Sequence, residues 1–289
     1  MSKVWLITGS ARGLGRSITE AVLGKGDKVL ATARDTARLA DLKASHGDSI
    51  QTFALDVTDA FAAQAAVDFA VDAFGRLDVL VNNAGFGLVA PFEQAEEADF
   101  RAQIDANFYG VVNLTRAALP VMRRQRSGHI INISSVGGRT AAPGLSAYQA
   151  AKWAVGGFTE VVAQEAAPFG VKIISVEPGG MRTDWGTTAM ANAPALLPDY
   201  EPSVGAVLSM IKAYAGNAIG DPKKVAGVVV DLTSHDSLPV HLILGSDALH
   251  VFGQAETARQ QAAKEWAPVS TFIDIEGVDL SFLSREGQS

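Results

Sequence analysis

Short runs of consecutive apolar residues recur along the chain, and between most of them lie longer stretches with an apolar position every three or four residues. The runs centre on Val4–Ile7, Lys28–Ala33, Gln51–Leu55, Asp78–Val81, His129–Ile133, Val171–Val176 and Val240–Leu244. Continuous apolar runs, rather than alternating ones, suit strands that are covered on both faces. The intervening stretches predict helices over Arg16–Lys25, from an Asp59 cap through Phe74, over Glu96–Arg126 with a break near Gln103–Asp105, over Tyr148–Ala167, and from Asp221-Pro222 through Leu232. Strand and helix alternate, which predicts right-handed βαβ units. The expected fold is α/β: one doubly wound, seven-stranded parallel sheet with helices on both faces.

Two regions depart from this rhythm. Residues 184–220 hold Trp185, Pro194, Pro198, Tyr200 and Pro202 without clear periodicity before Glu201, as a lid or binding loop would. From Asp247 a helical pattern runs to about Glu265. A tail follows, with apolar patches at Val269–Ile275 and Val278–Leu283. Residues 1–246 are therefore read as one domain, with 184–220 as a substrate-binding loop inside it and 247–289 as an extension packed on it.

Composition narrows the function classes. The 289 residues contain no cysteine, which excludes disulfides, thiol nucleophiles and Cys-based metal sites. Five scattered His give no metal-ligand spacing, so no metal is expected. A net charge of −7 without a Lys/Arg run argues against nucleic acid. The chain enters its first strand without a signal-peptide pattern, and no apolar run approaches a membrane span. A cytoplasmic protein is expected.

The candidate chemistry sits at strand ends. Thr8-Gly9-Ser10-Ala11-Arg12-Gly13-Leu14-Gly15 follows the first strand and opens a helix. Such a turn aims backbone N–H groups and the positive helix end at an anion, and its glycines let a pyrophosphate approach. In a dinucleotide-binding fold an acidic residue at the end of the second strand would hold the ribose 2′-hydroxyl of NAD. Here that strand ends Ala33-Arg34, and Arg12 stands in the glycine loop. Two guanidinium groups suit a 2′-phosphate, which favours NADP over NAD. The fourth strand runs into Asn82-Asn83-Ala84-Gly85, a place where open sheets bind ligands, although Asn and Gly are also ordinary turn residues.

The fifth strand leads into Ser134-Ser135-Val136, a Gly/Pro-rich loop, and a helix carrying Tyr148 and Lys152. Four residues apart, the two share a helix face. An adjacent ammonium is expected to lower the tyrosine pKa from about 10, making a group that exchanges a proton near neutral pH. Alone, a Tyr-x-x-x-Lys pair is weak evidence. Asn107 lies in an apolar helical stretch, where it is either a satisfied core amide or the holder of a water in a relay.

Taken in order, Thr8-Gly9, Gly13, Gly15, Asn82-Asn83-Ala84-Gly85, the Asn107 helix, Ile131-Asn132-Ile133-Ser134-Ser135, Tyr148/Lys152 and Pro178-Gly179 with Thr183 resemble the motifs of the classical short-chain dehydrogenase/reductase family over roughly residues 3–245. The resemblance implies a Rossmann-type fold and an NADP(H)-dependent oxidoreductase that moves a hydride between nicotinamide and a carbonyl or secondary alcohol. It implies that Ser135, thirteen residues before Tyr148, bonds the substrate oxygen. Tyr148 would transfer the proton, Lys152 would lower its pKa and hold the ribose, and Asn107 would keep a relay water. It places Gly9, Ser10, Arg12, Gly13, Leu14, Gly15, Arg34, Asp56, Val57, Asn83, Ala84, Gly85, Pro178, Gly179 and Thr183 around the cofactor. Within the family, Val29–Arg34 and the long tail look more like the NADP-linked steroid- and retinol-type carbonyl reductases than the shorter acyl-carrier reductases. Candidate substrate contacts are Ser135, Val136, Leu145, Trp185 and Met190, with Phe86, Phe92 and Pro143 as further apolar wall. These suit an apolar ketone or aldehyde. His129, His235, His241 and His250 are read as structural or exposed.

Two other readings use the same scaffold: an NADP-binding regulator without turnover, and an isomerase or epimerase. Family members usually form homodimers or homotetramers, so a homo-oligomer is expected.

Overall fold

The computed structural model describes residues 2–278 apart from 192, 215, 216 and 276, so the predicted apolar patch beyond Val278 lies outside the described residues. Seven strands form one sheet: β1 (Val4–Ile7), β2 (Lys28–Ala33), β3 (Ile50–Ala54), β4 (Val79–Asn82), β5 (Gly128–Ile133), β6 (Val171–Pro178) and β7 (His241–Leu244). Their order is β3-β2-β1-β4-β5-β6-β7, and every neighbouring pair is parallel. The order reverses between β1 and β4, which opens a crevice at the carboxyl ends of those strands.

The helices are α1 (Gly13–Gly24), α2 (Ala40–His46), α3 (Ala60–Phe74), α4 (Glu97–Ile104), α5 (Gly110–Gln125), α6 (Ser146–Ala166), α7 (Trp185–Met190), α8 (Ala206–Tyr214), α9 (Pro222–Leu232) and α10 (Ser246–Thr271). Their starts follow side-chain chemistry. Asp59 caps α3 by accepting from the N–H groups of Phe61 and Ala62 at 2.8 and 3.1 Å. Asp221 caps α9 through Lys223 N–H at 2.8 Å, with Pro222 in the first turn, where its missing N–H has no partner to lose.

Side chains alternate across the sheet and build two cores. Trp5, Ile7, Val29, Ala31, Val81, Ile131 and Ile174 face α1 and α9, where Ile18, Val22 and Val229 meet them. Leu6, Leu30, Leu80, Ile130 and Ile173 face α3 and α5, against Val67, Leu114 and Met122. Burying both faces is what the unbroken apolar runs require. The central strands are thereby fixed in place, and the loops at their carboxyl ends become a stiff frame for the site.

Three expectations are corrected. The stretch Glu96–Arg126 has no break: α4 continues into α5 through a π-helical turn, Asp105–Tyr109, that inserts a residue without ending the helix. Residues 184–220 are not loop throughout. The short helices α7 and α8, each too short to show a period in sequence, fold over a third cluster of Val89, Leu145, Ala189 and Val204. Finally, α10 runs past Glu265 to Thr271, with Pro268 inside it, so the first part of the expected tail is helical. Among the described residues no helix is long and apolar enough to cross a membrane.

Candidate active site

A cavity of about 1420 Å³ lies at the carboxyl ends of the strands. Its floor is the switch between β1 and β4. At one end it is lined by Gly9, Arg12, Gly13, Leu14, Arg34, Asp56 and Val57; at the other by Ser135, Val136, Leu145, Tyr148, Lys152, Pro178, Gly179, Thr183 and Trp185. Asn83, Ala84, Gly85 and Asn107 lie along the same cavity. Residues from six strand ends thus share one space, although they are spread over more than 170 positions of sequence.

The glycine loop is shaped by close approach. Gly9 and Gly13 have φ of +70° and +55°, a region that side chains disfavour. A Cβ on Gly15 would lie 2.3 Å from the Gly9 carbonyl oxygen and 2.4 Å from Asn83 Nδ2. Gly15 therefore packs the loop against the strand behind it and lies outside the cavity lining, as does Ser10, whose buried hydroxyl donates to Ile7 O at 2.9 Å. Thr8 clamps the two strand ends: its Oγ1 accepts from the N–H groups of Asn83 and Ala84, each at 2.9 Å. Asn83 in turn donates its side-chain amide to Thr8 O at 2.8 Å, so its amide is used within the protein. The N-terminal turn of α1 has no side-chain cap and no acidic residue, which leaves N–H groups available to an anion. Arg34 and Arg38 are exposed on the lining near it. Arg12 reaches across the cleft and donates to Thr188 Oγ1 of α7 at 3.2 Å.

At the other end, Lys152 is 5% exposed and donates from Nζ to Ile133 O at 2.8 Å. Its ammonium lies 5.7 Å from the centre of the Tyr148 ring, over its face. Burial pushes Lys152 down to about 8 and Tyr148 up to about 12, with the Ser135 hydroxyl pulling the tyrosine the other way. The expected lowering of Tyr148 by Lys152 is thus not present in this state. The amine is committed to a backbone carbonyl rather than to the phenol oxygen, and desolvation dominates both groups.

Ser135 Oγ accepts from Gly137 N–H at 3.0 Å at the edge of the cavity. Its neighbour Ser134 is buried and donates to Lys152 O at 3.2 Å, so the two serines differ in role. Asn107 sits in the π-helical turn. Its Nδ2 donates to Phe86 O and Gln103 O at 2.7 and 2.8 Å, while its buried Oδ1 has no partner among the described residues. A Cβ on Gly85 would lie 2.4 Å from that oxygen and 3.8 Å from Lys152 Nζ. Asn107 Oδ1 and the Lys152 ammonium therefore converge on one glycine.

Trp185 packs on Tyr148 with ring centres 5.1 Å apart, and it also fills the space over Gly87. Met190 lies outside the lining, because the α7 face that meets the cavity carries Trp185 and Gly186. Phe92 and Pro143 lie outside it too, and Phe92 is largely exposed, whereas Phe86 lines the cavity.

Other residues support the site through contacts that their sequence positions do not reveal. Gln149 accepts from Ala142 N–H at 2.8 Å and pins the Gly/Pro loop. Asn82 donates to Asn132 Oδ1 at 2.9 Å, and Asn132 donates to Thr159 Oγ1 at 2.9 Å, a buried ladder from β4 through β5 to α6. Asp247 accepts from Gly180 N–H at 2.9 Å. Asn82 and Asn132 stand opposite each other in the sheet, and amides inside apolar runs were the available signal.

The family model for short chain dehydrogenases matches residues 3–193. The chain belongs to the short-chain dehydrogenase/reductase family. An oxidoreductase from Botryotinia fuckeliana, BOA17, is 44% identical over 93% of this chain and 98% of its own. A short-chain dehydrogenase from Streptomyces avermitilis is 38% identical, with a TM-score of 0.89, over 95% of this chain and all of that one. ElxO, solved with NADP bound, is 29% identical with a TM-score of 0.73, over 86% of this chain and all of its own. A family member from Burkholderia phymatum, solved with NAD, has a TM-score of 0.78 at 24% identity, over 90% and 95% of the two chains. Structural relatives thus hold either nicotinamide cofactor, and this chain is an oxidoreductase of that family.

Proposed function

We propose that the protein is an NADP(H)-dependent reductase or dehydrogenase acting on an apolar ketone, aldehyde or secondary alcohol. The observation that carries the reading is the convergence of Ser135, Tyr148 and Lys152 at one end of a cavity whose other end holds an open glycine loop flanked by arginines. The site fits a dinucleotide by its chemistry. The glycines that admit a close approach, the uncapped N-terminal turn of α1 and the unpartnered Asn107 oxygen are features such a ligand and its ordered water would use.

When bound, NADP(H) supplies or accepts the hydride. In this reading Gly9, Gly13 and Leu14 face the pyrophosphate, with Ser10 and Gly15 shaping the loop from behind. Arg12 and Arg34 take the 2′-phosphate, with Arg38 beside them. Asp56 and Val57 border the adenine, Asn83, Ala84 and Gly85 the adenosine ribose side, and Pro178, Gly179 and Thr183 the carboxamide.

The protein's own residues handle the proton. A tyrosine pushed up to about 12 keeps its proton at neutral pH, which is the form that donates to a carbonyl oxygen gaining negative charge. Ser135 gives a second hydrogen bond to that oxygen. Two fixed donors act most strongly where charge develops away from water, and Trp185 and Leu145 help to exclude it. In the oxidative direction Tyr148 accepts the proton. Lys152, able to leave Ile133 O for the ribose, stabilises the phenolate, and Asn107 Oδ1 holds the water through which the proton exchanges with solvent. Leu145, Trp185 and Val136 make the substrate wall. In this reading residues 184–220 form the substrate-binding segment of a single domain.

The test pairs binding with turnover. NADPH titrated by fluorescence should bind at least tenfold more tightly than NADH, and a panel of apolar ketones should be reduced. Tyr148→Phe should lower turnover by about a thousandfold or more while NADPH still binds. Tight binding without turnover across the panel would favour a regulatory protein instead, and binding of neither cofactor would end the enzymatic reading.

A further inference from the structure

Helix α10 walls the substrate end of the cavity with Asp247, Ala248, Val251, Gln254 and Ala255, yet Ala248 alone of its residues is buried. Apolar packing therefore does little to hold this helix, and polar anchors must do more. Asp247 of α10 accepts from Gly180 N–H, and two further anchors converge on one residue, Arg139. The Arg139 guanidinium stacks on Phe252 of α10 at 5.2 Å from the ring centre. The Arg139 carbonyl accepts from Arg259 Nη2 of α10 at 2.8 Å. Arg259 also lies over the Trp153 ring of α6 at 5.3 Å.

Arg139 is itself held from the other side. Its Nη1 lies 3.9 Å from Glu177 Oε2, a buried oxygen with no hydrogen bond among the described residues. The Glu177 side chain is 1% exposed, and its other oxygen accepts from Ser175 Oγ at 2.9 Å and meets His241 Nδ1 at 2.5 Å. His241 Nε2 reaches Glu160 of α6 at 2.8 Å. A buried carboxylate needs a cation nearby, so Glu177 constrains where the guanidinium can go. Glu177 directly precedes Pro178 and Gly179, and Arg139 closes the turn that begins at Ser135. One ion pair thus joins the Ser135 turn, the end of β6 and the cavity wall.

We propose that Arg139 is a positioning residue, oriented by Glu177, that docks α10 as the outer wall of the substrate end and so sets selectivity for substrate length. The length selectivity rests on the reading of that end as the substrate site; the docking of α10 does not.

The test uses the full chain, three disrupting variants and one conservative variant. Arg139→Ala removes both contacts of the guanidinium. Phe252→Ala removes the stacking while leaving Glu177 paired, and Arg139→Ala with Glu177→Gln removes the buried charge that could otherwise unfold the single variant. Hydrogen exchange read by mass spectrometry should rise at least tenfold across residues 249–262 in all three, with β1 and β4 unchanged. Arg139→Lys, which keeps the charge beside Glu177, should recover part of the protection. Equal exchange in the wild type and a folded Phe252→Ala variant would overturn the docking role.

Selectivity is read from NADPH-dependent reduction of octanophenone against acetophenone. The ratio of their kcat/KM values should fall at least fivefold in Phe252→Ala, through the KM of the longer ketone. Equal loss on both ketones would mark a merely structural role and overturn the selectivity claim. If the wild type reduces neither, the proposed function fails, while the exchange result still decides whether Arg139 docks α10.

Discussion

Replacing Lys152 with methionine should destroy activity and raise stability together. The lysine is 5% exposed, and burial lowers it from 10.5 to about 8. At about 1.4 kcal/mol for each tenfold change in proton affinity, holding the ammonium there costs about 3 kcal/mol at neutral pH. Its hydrogen bond to Ile133 O returns about 1.5 kcal/mol of that, so the methionine variant should be more stable by about 1–2 kcal/mol at pH 7. The sign with pH follows from proton binding. Between pH 8 and 10.5 the unfolded chain holds the lysine proton more tightly than the folded one, so wild-type stability rises with pH across that window. Below pH 8 the whole penalty is present, and above 10.5 it is gone. The gap between the two proteins should therefore be widest at pH 7 and shrink or reverse by pH 10.5. Urea unfolding without cofactor at pH 7, 9 and 10.5 measures this. A variant less stable than the wild type at pH 7, with two-state transitions and equal m-values, would refute the idea that burial dominates this lysine.

Gly15→Ala would press a methyl against Gly9 O and Asn83 Nδ2, and the loop would have to open; NADPH affinity should fall at least a hundredfold by fluorescence titration. Asn82→Ala leaves Asn132 Oδ1 without its donor inside the core, and urea unfolding should show a loss of about 1–3 kcal/mol. Arg34→Ala should weaken NADPH by about tenfold and NADH hardly at all, with the difference shrinking as salt rises, because this guanidinium is exposed. Equal loss for the two cofactors would remove Arg34 from any 2′-phosphate site.

The sequence alone determined much of this protein. The seven apolar runs were legible because a strand covered on both faces must be apolar throughout, and the sheet contains each of them to within two residues. The glycine loop was legible because glycine adopts the positive φ of Gly9 and Gly13 without the steric cost a side chain carries there. Tyr148 and Lys152 were legible as a pair because four residues span one helical turn. Tertiary structure decided the rest. The distance between Tyr148 and Lys152 along the helix could not say that the lysine turns to Ile133 O and that burial then raises the tyrosine, since desolvation depends on everything around the two groups. Gly15 and Ser10 belong to the motif, yet only packing shows that they face away from the cavity. Met190 and Trp185 lie on one short helix, and which of them meets the site depends on how α7 settles over Tyr148. Arg139, Glu177 and His241 come from three distant segments, and no local pattern marks them; their meeting is a consequence of strand order, which brings β5, β6 and β7 side by side.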